Sequence, residues 1–235
     1  MSLTLNNDGG RRTSGGARSR LALPAAILLI VLSGGGVRPQ AAQAAQAATI
    51  SAQAVNAKLK YCEVCHGPSA RGFRGYYPIP RLAGQPTEYI ENELKGFADQ
   101  KRMDKQSPGA TNVMFHVGHV LSPEMVKALA AKLHELNPGP VGGAPQKNIA
   151  AGKTIFTEGI ASKNVPPCAS CHGPDAKGNG PVPRLAGQIY PYVVKQLSNW
   201  LHERSEQNSD IMAPIAHELT KPQIEAVAAY VSSLR

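Results

Sequence analysis

Two stripes of apolar residues at helical spacing close the two halves of this chain. Val126, Leu129, Leu133 and Leu136 form the first; Ile224, Val227, Val231 and Leu234 form the second. Steps of three to four residues put each set on one helix face, the mark of a helix packed on a core. Each stripe follows a start signal. Ser122-Pro123-Glu124 supplies a capping hydroxyl and a proline at the first helical position, and Thr220 opens the counterpart. The spacing predicts middle helices over Thr87–Gln100 and from Tyr190 to about Ser205, and short helices from Ser51 to about Tyr61 and from Gln146 to about Thr157. No run alternates apolar and polar residues as a half-buried strand would. The expected fold is all-α.

The order of elements occurs twice. Tyr-Tyr-Pro-Ile-Pro-Arg-Leu-Ala-Gly-Gln ends at Gln85, and Gly-Pro-Val-Pro-Arg-Leu-Ala-Gly-Gln ends at Gln188, an offset of 103 residues. The offset carries Tyr89 onto Tyr192, Leu94 onto Leu197 and Phe97 onto Trp200. Further on it is 98, matching Met114 with Met212, His119 with His217 and Leu121 with Leu219. This is an internal duplication. A Pro/Gly-rich stretch, residues 137–147, reads as a linker between an N-terminal domain over 48–136 and a C-terminal domain over 148–235. Each half is small for a self-sufficient apolar core.

What completes the core is written in the cysteines. All four lie in two copies of Cys-x-x-Cys-His, at Cys62, Cys65 and His66 and at Cys168, Cys171 and His172. Two thiols three residues apart can add to the two vinyl groups of one porphyrin, and the following histidine then faces the iron. A thioredoxin-like pair or half a zinc site would not require that histidine, and the βαβ pattern of the former is absent. Two covalently bound haem c groups are therefore expected, with no cysteine left for a structural disulfide.

Each iron needs a second axial ligand. Met212 lies 40 residues after His172, before Ala213-Pro214, in an expected loop between helices. A thioether there raises the reduction potential. Met114 holds the matching place in the first half, although Met103, His116 and His119 lie near it and His116 stands where Pro214 does. Met125 reads as a packing residue; His134 and His202 read as solvated helix-surface groups. Pro80 and Pro183 offer stiff backbone carbonyls to the ring nitrogens of the proximal histidines. Arg81 and Arg184, beside them, suit haem propionates.

The N-terminus and the charge settle compartment and partners. Arg11, Arg12, Arg18 and Arg20 precede an apolar run, Leu21 to Leu32, and Ala-x-Ala matches follow near Ala45 and Ala47. Residues 1–47 read as a secretory signal peptide for export to the periplasm. Left uncleaved, the segment would give peripheral membrane association. The whole chain carries a formal charge of +9, but residues 1–47 hold five arginines and one aspartate, which leaves 20 basic and 15 acidic residues beyond them. Haem propionates lower that further, so the basic composition is no argument for nucleic acid.

Both Cys-x-x-Cys-His motifs, both Pro-Arg-Leu-Ala-Gly-Gln segments and the placed methionines resemble the dihaem cytochrome c4 family: two class I cytochrome c domains in tandem, over about residues 49–235. Gly152 and Phe156, with Tyr230, resemble the family's packing of first helix on last. The first half keeps only Ala57 and Tyr61, with Lys132 in the place of Tyr230. The resemblance implies His/Met ligation of both irons and a periplasmic electron shuttle that is not an enzyme. Its donor would be quinol- or dehydrogenase-linked and its acceptor a terminal oxidase. Two alternatives remain open at this point. One is a dihaem oxidoreductase of thiosulfate dehydrogenase or peroxidase type, with His116, Arg71, Arg74 and Arg81 lining an anion site. The other is a haem subunit of a dehydrogenase complex, docked through the insertions at Phe73–Tyr77 or Met103–Ala110.

Overall fold

The computed structural model describes residues 50–104, 109–204 and 209–235. The expected leader and the centre of the Met103–Ala110 insertion lie outside these residues. The described residues fall in one compact unit, and helices dominate it. In the first half these are α1 (Ala52–His66), α2 (Thr87–Ala98), α3 (Gly109–His119) and α4 (Pro123–Glu135). In the second they are α5 (Ile149–Glu158), α6 (Ala169–His172), α7 (Tyr190–Ser198), α8 (Trp200–Glu203), α9 (Ser209–Glu218) and α10 (Lys221–Ser233).

The two halves enter their Cys-x-x-Cys-His motifs differently. Helix α1 starts at Ser51, whose hydroxyl accepts the Ala54 N–H at 3.1 Å, and runs beyond Tyr61 through the motif to His66. No glycine or proline interrupts it before Gly67-Pro68. In the second half α5 stops at Gly159, at φ +74°, where a Cβ would lie 2.3 Å from the Val165 carbonyl oxygen. Pro166-Pro167 then keeps the chain out of helix until α6 restarts inside the motif. The middle helices also end earlier than the apolar spacing predicts, α2 at Ala98 and α7 at Ser198, with a break at Asn199 before α8.

A two-stranded antiparallel hairpin, β1 (Phe73–Arg74) with β2 (Pro78–Ile79), departs from the all-helical expectation. Two residues per strand are too few to leave an alternating pattern in the sequence.

The apolar stripes do what their spacing predicts. Leu129 and Leu133 of α4 and Ile224, Val227 and Val231 of α10 are buried. Helix α10 crosses α5 closely enough that a Cβ at Gly152 would lie 2.0 Å from the Ala226 carbonyl oxygen, and the Phe156 and Tyr230 rings pack at 5.4 Å. In the first half Tyr61 is 61% exposed, so the corresponding contact is not made.

A pair of glutamines joins the halves. Gln85 Oε1 accepts the Arg184 N–H at 2.9 Å and its Nε2 donates to the Arg184 carbonyl at 2.8 Å. Gln188 does the same to Arg81, at 2.8 and 3.0 Å. The exchange is reciprocal, as a two-fold relation between duplicated units requires. All four residues are buried, so these bonds satisfy backbone groups that have lost water.

Candidate haem sites and the charged seam between them

Each motif presents its histidine in the same way. His66 Nδ1 lies 2.8 Å from the Pro80 carbonyl oxygen, and His172 Nδ1 lies 2.9 Å from that of Pro183. A carbonyl can only accept, so Nδ1 carries the proton and donates, leaving Nε2 with its lone pair for a metal. Burial lowers the pKa of both imidazoles, and the proline carbonyls only partly offset it. Both rings thus favour the neutral form that a metal ion requires. Cys62 and Cys168 are half-buried, and Cys65 and Cys171 are exposed at the outer side of each motif. None of the four is paired in a disulfide. Burial raises the Cys62 pKa, and that of Cys168 to about 11.

The methionines do not stand on loops. Met114 is in α3 and Met212 in α9, both half-buried, each in the helix preceding the closing helix of its half. The segment around Met212 keeps helical backbone despite Pro214, which sits inside α9. His116 and His119 are exposed on α3, with the Phe115 ring 5.1 and 5.7 Å from theirs. His134 is not simply solvated, since its Nδ1 lies 2.9 Å from the Gln85 carbonyl oxygen. That contact ties α4 to the segment that reaches across to the other half.

Arg81 and Arg184 are buried beside the prolines. Arg81 Nε donates to the Ala83 carbonyl at 2.9 Å and Nη1 to that of Pro138, in the linker, at 2.8 Å. Arg184 Nε donates to the Ala186 carbonyl at 3.0 Å. Among the described residues neither has a carboxylate at ion-pair distance. Burial, then the positive charges of Arg184 and Arg71, lower the Arg81 pKa to about 10. Arg74 does not join Arg81 in an anion site, because its Nη1 donates to the Gly142 carbonyl at 3.1 Å.

A second charged cluster, unforeseen from the sequence, forms the rest of the seam. Glu93 on α2 is buried and accepts from Arg102 Nη1, from its own half, and from Arg204 Nη1, from the other, at 2.7 Å in the latter case. Arg102 Nη2 also donates to Tyr192 Oη at 2.7 Å and Gln196 Oε1 at 3.2 Å. The guanidinium groups lie over Phe97 and Trp200, at 4.6 and 4.4 Å. Burial works against the Glu93 charge, but Arg102 and then Arg204 overcome it and hold the carboxyl below the usual range. The signal was in the repeat. The 103-residue offset that pairs Tyr89 with Tyr192 also pairs Glu93 with Gln196. The duplication thus places a carboxylate on one side and an amide on the other, between two buried arginines.

The residues present fit haem. The neutral histidines and free thiols match its iron and vinyl groups. The seam has donors in excess: Arg102 Nε, Arg204 Nε and Trp200 Nε1 are buried without an acceptor among the described residues. Such a surplus, with the uncompensated Arg81 and Arg184, suits a group that brings carboxylates.

Comparison with known proteins gives the same answer. The cytochrome c family pattern matches residues 149–235. The chain is 40% identical to cytochrome c-552 of Acidithiobacillus ferridurans, over 74% of this chain and 73% of that protein. It is 30% identical to cytochrome c4 of Azotobacter vinelandii, over 78% and 89%. It is also 33% identical to the thiosulfate dehydrogenase electron acceptor of Stutzerimonas stutzeri, over 82% and 88%. The solved cytochrome c4 of Acidithiobacillus ferrooxidans superposes with a TM-score of 0.65 at 36% identity, covering 74% of this chain and 99% of that one. The chain carries two covalently bound haem c groups and belongs to the dihaem cytochrome c4 family of electron-carrying cytochromes.

Proposed function

We propose that this protein is a periplasmic electron shuttle in which His66 with Met114, and His172 with Met212, ligate the two irons. The observation that carries this reading is the repeated proximal geometry, a buried histidine fixed by a proline carbonyl at nearly the same distance in both halves. Haem supplies a one-electron couple. The chain's own residues attach it, orient the imidazoles and bury the seam between the halves. Met114 and Met212 would close the irons to small molecules and raise their potentials. Arg81 and Arg184 would hold propionates, and residues 1–47 would direct export.

The likeness to a thiosulfate dehydrogenase electron acceptor makes a dehydrogenase of that type a candidate donor. A terminal oxidase is the proposed acceptor. Among the described residues no helix is long and apolar enough to cross a membrane. Encounters of this kind are small and short-lived.

The ferric spectrum of the holoprotein tests the ligands. The long-wavelength band of His/Met haem should have the intensity of two haems and lose half in Met114→Ala and half in Met212→Ala. Carbon monoxide should leave the native ferrous protein unchanged. A high-spin component, or half the band, would refute the Met114 assignment and favour an enzyme with an open first haem.

A further inference from the structure

The exposed apolar side chains are divided unequally between the halves. Tyr61, Val64, Phe73, Tyr76, Tyr77, Val113 and Val120 belong to the first half; among the described residues Ile211 alone belongs to the second. The duplication sorts this set. Val113 and Ile211 are the same position of the repeat, each directly before its methionine. A position exposed in both halves is explained by what both halves bind. The others have no exposed apolar counterpart: Tyr61 corresponds to the buried Phe156, while Val64 aligns with Ser170 and Val120 with Glu218.

The aromatic residues of the hairpin lie in an insertion. The offset is 106 residues at the Cys-x-x-Cys-His motifs and 103 at Pro80 and Pro183, so the first half holds three extra residues between them. The second half closes the same turn with a single bridge, Asn179 to Val182. In the first half the extra residues build the β1–β2 hairpin, which presents Phe73 at 57%, Tyr76 at 94% and Tyr77 at 54% exposure. Tyr76 and Tyr77 pack edge to face at 5.0 Å. Three neighbouring exposed aromatics are what a binding surface needs and a solvated loop does not.

Two further observations say what covers them. The hairpin is anchored on the first motif, where the Gly72 N–H donates to the His66 carbonyl at 2.7 Å and strand β1 begins one residue later. The charge along this stretch of the chain also has one sign. No acidic residue occurs between Glu63 and Glu88, while Arg71 and Arg74 flank the aromatics.

We propose that the Phe73–Ile79 hairpin, with Arg71 and Arg74, is the docking surface for a redox protein that presents carboxylates around an apolar patch. It places that protein's centre next to the first haem. The inference rests on the carrier reading. Each encounter moves one electron, so one centre is oxidised as the other is reduced, and no bond forms or breaks. The aromatics give affinity, and the arginines steer approach and set its salt dependence.

The test uses the ferrous or ferric holoprotein against native membranes in air, for oxidation, and against the reductant-supplied native cell fraction under nitrogen, for reduction. The variants are Phe73→Ser with Tyr76→Ser and Tyr77→Ser, and separately Arg71→Glu, which leaves the hairpin's own contacts in place. In at least one direction the half-saturating concentration should rise tenfold or more in both variants, with unchanged haem spectra. Arg71→Glu should also flatten the loss of rate with added salt. Saturation curves identical to the original in both directions would overturn the inference. A holoprotein with both haems intact that exchanges electrons with neither fraction would instead overturn the carrier reading, and this inference with it.

Discussion

The second half closes its first helix on its last through a glycine and two rings; the first half does not. At Gly152 the backbones of α5 and α10 approach so closely that no side chain fits, and Phe156 is fully buried beneath Tyr230. The corresponding Ala57 and Tyr61 of α1 are exposed, and Lys132 reaches Glu135 of its own helix at 2.9 Å. The contact is present in one copy and absent from the other. The copy without it carries the exposed aromatics and the hairpin. It has its own core of Ala70, Ala83, Ile90, Ala130 and Leu133, and Gln85, Gln188 and the Glu93 cluster bind it to the other half across the seam.

The seam should therefore be the most sensitive place. Glu93→Ala would leave Arg102 and Arg204 buried without their anion, a loss of roughly 3–5 kcal/mol. Denaturant unfolding of the holoprotein at neutral pH measures it. The sign with pH follows from the lowered Glu93 pKa. The carboxylate stabilises the fold above the unfolded glutamate pKa, about 4.3, and that contribution is lost as pH falls through the lower folded value. Glu93→Gln should remove this part of the acid dependence, making the two halves alike at that position.

The closing contact comes next in size. Gly152→Val forces side-chain atoms against the Ala226 carbonyl and should cost about 1–3 kcal/mol or more. Ala57→Val, on the exposed face of α1, should stay within about 0.5 kcal/mol. Equal effects would mean that the two helix pairs are packed alike, contrary to the structure. Thermal unfolding of both variants decides it.

Much of this was legible in the sequence. The motifs fixed the cofactor because the spacing of thiols and histidine is chemistry rather than packing. The stripes on α4 and α10 gave the closing helices because burial imposes their period. Helix ends were less legible. Whether α1 continues to His66 or α6 restarts at Ala169 depends on Gly67 in one half and on Pro166-Pro167 in the other. The Met212 segment read as a loop because Pro214 weakens helical propensity, and Met114 was given the matching place, yet both are helical. The Glu93 cluster was hidden because charged residues are expected at the surface. Only the meeting of Arg102 and Arg204, distant in sequence, makes a buried carboxylate tolerable.

The smallest effect gives the most direct test of whether the halves fold as one. Ser122 caps α4 by accepting the Met125 N–H at 3.2 Å, and Thr220 opens α10 in a capping box, its side chain accepting the Gln223 N–H while its own N–H donates to Gln223 Oε1 at 2.9 Å. Replacing either hydroxyl residue with alanine should cost about 1 kcal/mol. The two caps lie in different halves, so their effects report on coupling rather than on capping. The reciprocal glutamine bonds and the shared Glu93 predict a single transition, displaced similarly by Ser122→Ala and Thr220→Ala. Absorbance of the two haems and helical circular dichroism should then trace the same curve. If Ser122→Ala moves an early transition that Thr220→Ala leaves in place, the first half opens alone. The seam would then be a docking contact rather than a common core.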